Sequence, residues 1–132
     1  MMSEMHAAAE DAAESGPAIT DPPPWLCLHL VRDAYVVVEK PWRMLSVPGR
    51  GPAKRDSIET RVRTAFGIER DPITVHRLDW ETSGLLVMAR HRDAHRSLSR
   101  QFMHRKVGKS YEAVVRGLVA EDEGALELPL IV

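Results

Sequence analysis

One short segment combines ionisable side chains, a turn and an apolar run. From residue 76 to residue 84 it reads HRLDWETSG, and apolar residues continue to residue 89. This run is too short for a stable helix and is bounded by Thr-Ser-Gly, so we predict a buried strand over 84–89. Asp79 then lies on the loop that enters a core strand, where a carboxylate can act as a base or a nucleophile.

Arg77 is the obvious partner for Asp79, because residues two apart on an extended backbone share a face. A guanidinium close to a carboxylate favours its ionised form. The alternative is structural, since most such pairs are surface ion pairs or turn contacts, and an Asp before Thr-Ser-Gly can bond its own backbone amides. Spacing alone leaves both interpretations open.

The string HRLDWETSGLLVMAR resembles the signature His-Arg-Leu-Asp-x-x-Thr-Ser-Gly-Leu-Leu of the RluA family of pseudouridine synthases, with nine identities. The resemblance implies that Asp79 is the catalytic residue and that Arg77 contacts the substrate or steadies Asp79. A second string, LSRQFMHRKVGKSYEAVVRG, is similar to another motif of that family. It implies that Tyr111 stacks on the target uracil, whereas the pattern alone predicts only a half-buried strand aromatic.

The segment PPPWLCLHLVRDAYVVVEKPWRMLSVPGR is similar to the opening of the same family, whose usual form is close to Asn-Lys-Pro-x-Gly-Leu-Leu-Ser-Val-Pro-Gly-Arg. This chain departs from that form at Glu39, Arg43 and Met44, where the family commonly has Asn, Gly and Leu. The bulky Arg43 therefore predicts a changed local conformation in the loop. The resemblance extends from Pro22 to the last residue but covers only about three fifths of a family member, its N-terminal part.

The length of 132 residues, with 44% hydrophobic and 28% charged residues, suits one small domain. Residues 1–24 form an acidic, Pro-rich tail that we predict to be disordered, and residues 25–132 form the truncated catalytic domain. The fold class predicted is α+β, with a mixed, mainly antiparallel sheet flanked by two helices. The resemblance implies that later strands are missing, so the sheet is incomplete and its hydrophobic edge is prone to aggregation.

Local patterns predict the individual elements. We expect strands over 25–31, 35–40 and 107–117, in addition to the strand over 84–89. One helix is predicted to start at an Asp56 cap and to end at Gly67, and a second to start at an Asp93 cap and to run to residue 103. Arg61 and Arg63 fall off the apolar face of the first helix, which predicts solvated charges, with RNA contact as the alternative.

The charges are distributed unevenly along the chain. Residues 1–24 and 117–132 carry acidic groups and no Lys or Arg, so all 18 basic residues lie within 25–116, together with 10 acidic ones. This part carries a net charge of +8, and 14 of the 18 basic residues are Arg, whose planar fork suits phosphate and base edges. A basic body favours an RNA ligand, although solvated surface charge is the plainer alternative.

A row of arginines is predicted along the second helix. Arg92, Arg96 and Arg100 are spaced by four and line one side, with Ala94, Leu98 and Phe102 on the other. Such a row is either solvated charge or a set of phosphate contacts, and we take Arg96 and Arg100 as candidate substrate-binding residues. His91 and His95 are also four apart, but no further ligands at fixed spacing accompany them, so no metal site is predicted.

The remaining composition excludes several classes of protein. Cys27 is the one cysteine, so no internal disulfide is possible, and we expect it to be a small buried hydrophobe. No apolar run approaches the about 20 residues of a membrane helix, and no basic-then-apolar signal opens the chain. We therefore expect a cytoplasmic monomer.

The resemblance implies a function, isomerisation of uridine to pseudouridine in structured RNA, in large-subunit (23S) ribosomal RNA, a transfer RNA anticodon stem-loop or both. The C1′–N1 bond breaks, the uracil turns, and a C1′–C5 bond forms, so the reaction needs no cofactor and no metal. A stacked base is out of reach, so the enzyme must flip it into a pocket. Two alternatives stay open: an inactive remnant that still binds RNA, and a metal- or protein-binding α+β module in which the Arg77-Asp79 pair is structural.

Overall fold

The computed structural model describes residues 3–6, residue 23 and residues 25–129. For residues 3–6 it defines the backbone alone. In chain order its elements are β1 (Ser3–His6), β2 (Leu28–Val31), β3 (Tyr35–Lys40), a 3-10 turn (Pro52–Lys54), α1 (Ile58–Phe66), β4 (Gly84–Ala89), α2 (Arg92–Met103) and β5 (Gly108–Tyr111). The predicted α+β class is confirmed, and within the described residues every strand pairing is antiparallel.

β3 is the central strand of the sheet β2-β3-β4. Its Val-rich sequence suits a pleated, half-buried surface, and alternate residues Val36, Val38 and Lys40 point into the core. Along β4 the register runs from Tyr35 opposite Ala89 to Lys40 opposite Gly84. The end of β3 is thereby fixed beside the loop that carries Asp79.

The core lies between this sheet and α1. Buried side chains from the sheet meet Ile58 and Val62 of α1, together with Ile73 and Leu78 from the segment before β4. α1 ends at Gly67, as predicted, with φ 63° and its N–H donating to the carbonyl of Arg63. This left-handed conformation is open to glycine at little cost.

The two helix starts differ from the prediction. α1 is capped by Ser57, whose hydroxyl accepts from the N–H of Thr60 at 3.1 Å, while Asp56 instead accepts two bonds from Arg61 at 2.9 and 2.8 Å. α2 is capped by His91, whose Nδ1 accepts from the N–H of Ala94 at 3.2 Å. The predicted caps, Asp56 and Asp93, were therefore each wrong, because Ser57 and His91 have the extended backbone of a cap and accept from the free amides of the first turn.

Arg61 and Arg63 are also not the solvated charges that we predicted. Besides its pair with Asp56, Arg61 donates to the carbonyl of Trp25 at 2.6 Å. Arg63 donates to Glu59 at 2.9 Å and to the carbonyl of Asp71 at 2.9 Å. Both arginines are partly buried and tie α1 to neighbouring segments.

Cys27 is exposed, which corrects the predicted burial. It shares the outer face of the sheet with His29 and Glu39, whereas Leu26 and Val38 point inward. His29 Nε2 and Glu39 Oε2 are 2.8 Å apart, and the Cys27 thiol donates to Glu39 at 3.8 Å. Partial burial and the charge of Glu39 raise the pKa of this thiol.

Both ends of the chain differ from the predicted pattern. β2 begins at Leu28 rather than at residue 25, and β5 ends at Tyr111 rather than at residue 117. Residues 112–129 form no helix or strand and are exposed throughout. Ser3–His6, in the tail predicted to be disordered, form β1 and pair with β5; residues 1–2, 7–22 and 24 lie outside the described residues.

Candidate active site

Asp79 is exposed on a loop whose backbone is fixed just before it. The buried Ser46 hydroxyl accepts from the N–H of Leu78 at 3.0 Å and donates to the carbonyl of Leu78 at 2.6 Å. Leu78 is itself part of the core. A buried side chain and a two-way hydrogen bond therefore hold the residue next to Asp79, which leaves the carboxylate little freedom to shift with its backbone.

The loop then turns towards β4. The N–H of Thr82 donates to the carbonyl of Asp79 at 3.1 Å, which closes a turn. The carbonyl of Trp80 accepts from the N–H of Arg43 at 2.9 Å. The Asp79 loop is thus closed by an internal hydrogen bond, and a second hydrogen bond joins it to the loop that follows β3.

Lys40 is the buried cation of this region, with no solvent-exposed surface. Its Nζ donates to the carbonyls of Pro41 at 3.1 Å, Met44 at 2.8 Å and Trp80 at 3.4 Å. Three acceptors match the three N–H groups of an ammonium, whereas a neutral amine has only two. Burial lowers the pKa of Lys40, and the negative charge of Asp79 acts in the opposite direction. Lys40 therefore joins two loops and places a positive charge near Asp79.

Arg77 does not make the predicted ion pair. Arg77 and Asp79 are both exposed on either side of the buried Leu78, as an extended backbone requires. None of the ion pairs found among the described residues joins the two. Lys40, a residue that the sequence analysis missed, is the cation on which the charge of Asp79 acts. Its signal was present, because Lys40 continues the inward alternation of Val36 and Val38.

His76 is a structural residue at the start of the motif. Its Nε2 accepts from the N–H of Val87 at 2.9 Å, and its ring stacks on Phe102, with 4.4 Å between centroids. Burial, and secondarily the charge of Lys109, lower its pKa to about 4. A neutral imidazole at physiological pH thus attaches the motif to both β4 and α2.

A cavity of about 510 Å³ opens beside the Asp79 loop. Its lining residues come from the loop after β3, the segment before α1 and the motif itself: Arg43, Met44, Leu45, Ala53, Lys54, Asp56 and Trp80. Arg43, which stands where the family commonly has Gly, has φ 57°, a left-handed conformation that glycine adopts readily. The changed conformation expected at this residue stays a prediction. The guanidinium of Arg43 lies over the ring of Trp42, 4.2 Å from the centroid.

The other candidate residues are not in direct contact with Asp79. Tyr111 ends β5 and is 49% exposed; within the described range, no hydrogen bond or ring contact joins it to the motif. Arg96 and Arg100 are exposed along α2, and Arg96 also lies 3.6 Å from Asp93. The predicted row on the outer side of α2 is confirmed as an exposed surface, with Ala94 buried on the inner side.

Comparison with known proteins decides the family. Residues 34–132 match the RNA pseudouridylate synthase family. The chain belongs to this family. The dual-specificity RNA pseudouridine synthase RluA of Yersinia pestis is 48% identical to it over 103 residues, which cover 77% of this chain. Those of Pasteurella multocida (strain Pm70) and Escherichia coli (strain K12) are 44% and 43% identical over 108 residues, or 82% of this chain.

The matched region spans only 48% of each of these three relatives, about half of their length. The resemblance stated from the motifs is therefore confirmed for this pseudouridylate synthase family, and the covered share of three fifths was too high. Among the described residues, no helix combines the length and the apolar character needed to cross a membrane.

Proposed function

We propose that this chain acts in the isomerisation of uridine to pseudouridine in structured RNA, with Asp79 as the catalytic carboxylate. One observation carries the proposal: an exposed carboxylate stands on a loop held by Ser46 and Lys40, beside an open cavity. An enzyme that acts on an extruded base needs a fixed reactive group next to space for the nucleotide.

Asp79 would act on the ribose or on the uracil, as a nucleophile or as a general base, and each of these routes needs an ionised carboxylate. In either route the C1′–N1 bond breaks and a C1′–C5 bond forms, and the proton from C5 is finally replaced at N1, so atoms and electrons balance within the nucleotide. The negative charge of Asp79 in turn favours the charged form of the Lys40 ammonium.

The other candidates receive supporting roles in this proposal. Tyr111 stacks on the target uracil, Arg77 fills the space that the flipped base leaves, and Arg96 and Arg100 contact phosphates along α2. The likeness of LSVPGR and SRQF to the RluA branch supports 23S ribosomal RNA and a transfer RNA anticodon stem-loop as substrates. These roles are consistent with the exposure of all four side chains.

The test is formation of pseudouridine in ribosomal and transfer RNA by this chain, by any longer native protein that contains it, and by their Asp79→Asn variants. We expect Asp79→Asn to lower the rate about 10³-fold or more, because removal of a reacting group abolishes most of the catalysis. Asp33→Asn is a matched control, an exposed Asp in the turn between β2 and β3. Equal rates for Asp79→Asn and wild type would remove Asp79 from catalysis.

A second function, RNA binding without catalysis, is favoured by the half-exposed position of Tyr111, which bonds to no described residue of the motif, and by the half-length match to the relatives. It predicts turnover only in a longer protein, together with salt-dependent RNA binding by this chain. RNA binding that does not respond to salt would count against both functions.

A further inference from the structure

We propose that the cavity lined by Trp80 of the Asp79 loop binds an unpaired nucleotide that neighbours the target uridine, with Trp80 stacking on its base and with Arg43 and Lys54 facing its phosphate. This inference rests on the proposed function, because it requires that the substrate is RNA. It adds a second binding position next to the one that Asp79 serves.

The lining of the cavity suits a planar anion. A volume of about 510 Å³ lies within the range of small-molecule sites, roughly 300–1,000 Å³. Met44, Leu45 and Ala53 supply apolar surface, Trp80 supplies a half-exposed ring, and two cationic side chains complete the lining. The one carboxylate there, Asp56, is already paired with Arg61 through two hydrogen bonds, so its charge is largely compensated.

Arg43 occupies a backbone conformation that would cost glycine much less. Its φ of 57° lies in the left-handed region, where a Cβ is unfavourable. Strained positions of this kind are concentrated at functional sites, where the surrounding structure holds them in place. Here the N–H of Arg43 donates to the carbonyl of Trp80 at 2.9 Å, and its guanidinium rests on Trp42. Arg43, which lines the cavity, is thus held both at its backbone and at its guanidinium.

The cavity is coupled to Asp79 through the backbone. Trp80 directly follows Asp79 in the chain. Lys40 donates to the carbonyls of both Met44 and Trp80, so it connects two lining residues of the cavity, one of which is the neighbour of Asp79. A uridine extruded from a loop leaves its neighbours unstacked. The ring of Trp80, one residue after Asp79, is suited to stack on one of these unstacked neighbours.

The first experiment measures binding of the full chain to an RNA hairpin with uridine in its loop, by fluorescence anisotropy. Each loop position next to a uridine is replaced in turn by an abasic residue. We expect one abasic position and Trp80→Leu each to weaken binding roughly tenfold, and the combination to weaken it no further than either alone. Trp25→Leu is the matched control, since Trp25 is 43% exposed and lies outside the cavity.

The second experiment uses Arg43→Gly. We expect its unfolding midpoint to be equal to or above that of wild type, because the strain is released, while its affinity for the hairpin falls several-fold and the slope of log Kd against log salt decreases. Arg50→Gly serves as control, an exposed Arg of the same loop that does not line the cavity. Wild-type affinity in Arg43→Gly, or additive effects of Trp80→Leu and every abasic position, would overturn the proposal.

Pseudouridine formation in the same hairpin, with Asp79→Asn as reference, separates the two proposals. If pseudouridine forms but the abasic and Trp80→Leu effects add independently, the nucleotide position is wrong and the function stands. If the coupling is observed but no protein that contains this chain forms pseudouridine, the position stands and the proposed catalysis is wrong.

Discussion

At the scale of single residues, the position of Asp79 depends on side chains far from it in sequence. Ser46 holds the backbone of Leu78, and Lys40 holds the carbonyl of Trp80, so both neighbours of Asp79 are bonded to the loop after β3. Preorganisation of this kind places a reactive group without cost at the moment of reaction. Lys40 therefore acts as a positioning residue through the backbone and through its charge.

Lys40→Met should destabilise the protein by about 2–4 kcal/mol, since the carbonyls of Pro41 and Met44 lose their Lys40 donor in a partly buried site, while that of Trp80 keeps the N–H of Arg43. Denaturant unfolding measures this change, with the exposed Lys106→Met as control. If Lys40→Met unfolds at the wild-type midpoint, the bonds to the three carbonyls contribute no net stability.

His76 predicts a pH dependence of stability. Its folded pKa of about 4 lies below the ordinary value of 6.5, so between these values the unfolded chain binds a proton that the folded chain does not. The contribution of neutral His76 to the free energy of unfolding should therefore be fully present above pH 6.5. The free energy of unfolding should fall as the pH drops towards 4, by at most about 3 kcal/mol. Unfolding from pH 4 to pH 8 measures it, and His76→Gln, which keeps an acceptor for Val87, should flatten this part of the curve. Equal slopes in both proteins would show that His76 does not titrate in this way.

At the scale of elements, the register of β3 with β4 and the packing of α2 define the candidate site. Lys40 opposite Gly84 puts the end of one strand beside the start of the next, where the Asp79 loop enters. α2 is attached by the stack of Phe102 on His76 and by a contact of 3.0 Å between the His95 ring and the carbonyl of Thr74. Its inner side is thereby fixed, and its arginines remain available to a ligand.

The outer row of α2 should contribute to RNA affinity without sequence preference. Arg96→Gln and Arg100→Gln should each weaken binding several-fold and lower the slope of log Kd against log salt by about 0.7–0.9, the contribution of one phosphate contact. Arg70→Gln, an exposed Arg in the turn after α1, should change neither. Unchanged salt slopes in both α2 variants would show that the row is solvated charge only.

At the scale of the whole molecule, the described residues divide into a packed part and an open part. Residues 26–103 contain every buried residue, whereas residues 112–129 expose large apolar side chains, among them Val114, Leu118 and Leu126. Apolar surface without a covering element favours association. The aggregation-prone sheet edge stays a prediction, and the apolar side chains of residues 112–129 form a separate exposed surface.

Limited proteolysis should cleave within residues 112–129 before it cleaves within 26–103, because an exposed backbone without helix or strand bonds is open to a protease. The double variant Val114→Lys/Leu118→Lys should reduce light scattering by the concentrated protein. The control Glu121→Lys, which replaces a polar residue of the same segment, should leave the scattering unchanged. Early cleavage inside β3 or β4 would contradict this division.

The sequence by itself determined the family, the α+β class and the bounds of β3 and β4, because these depend on local patterns: nine motif identities, a Val-rich alternation and an apolar run between turn residues. The end of α1 belongs to the same group, since Gly67 is favoured there by its own conformational freedom. Such features are decided within a few consecutive residues.

Tertiary structure alone decided which groups meet. The two-way bond of Ser46 with Leu78 crosses 32 residues, and the bond of Lys40 with Trp80 crosses 40. It also made His91 rather than Asp93 the cap of α2, left Cys27 exposed and placed Lys40 within electrostatic reach of Asp79. The reason is physical: hydrogen bonds and charges depend on distance in space, and strand pairing brings together residues that no local pattern links.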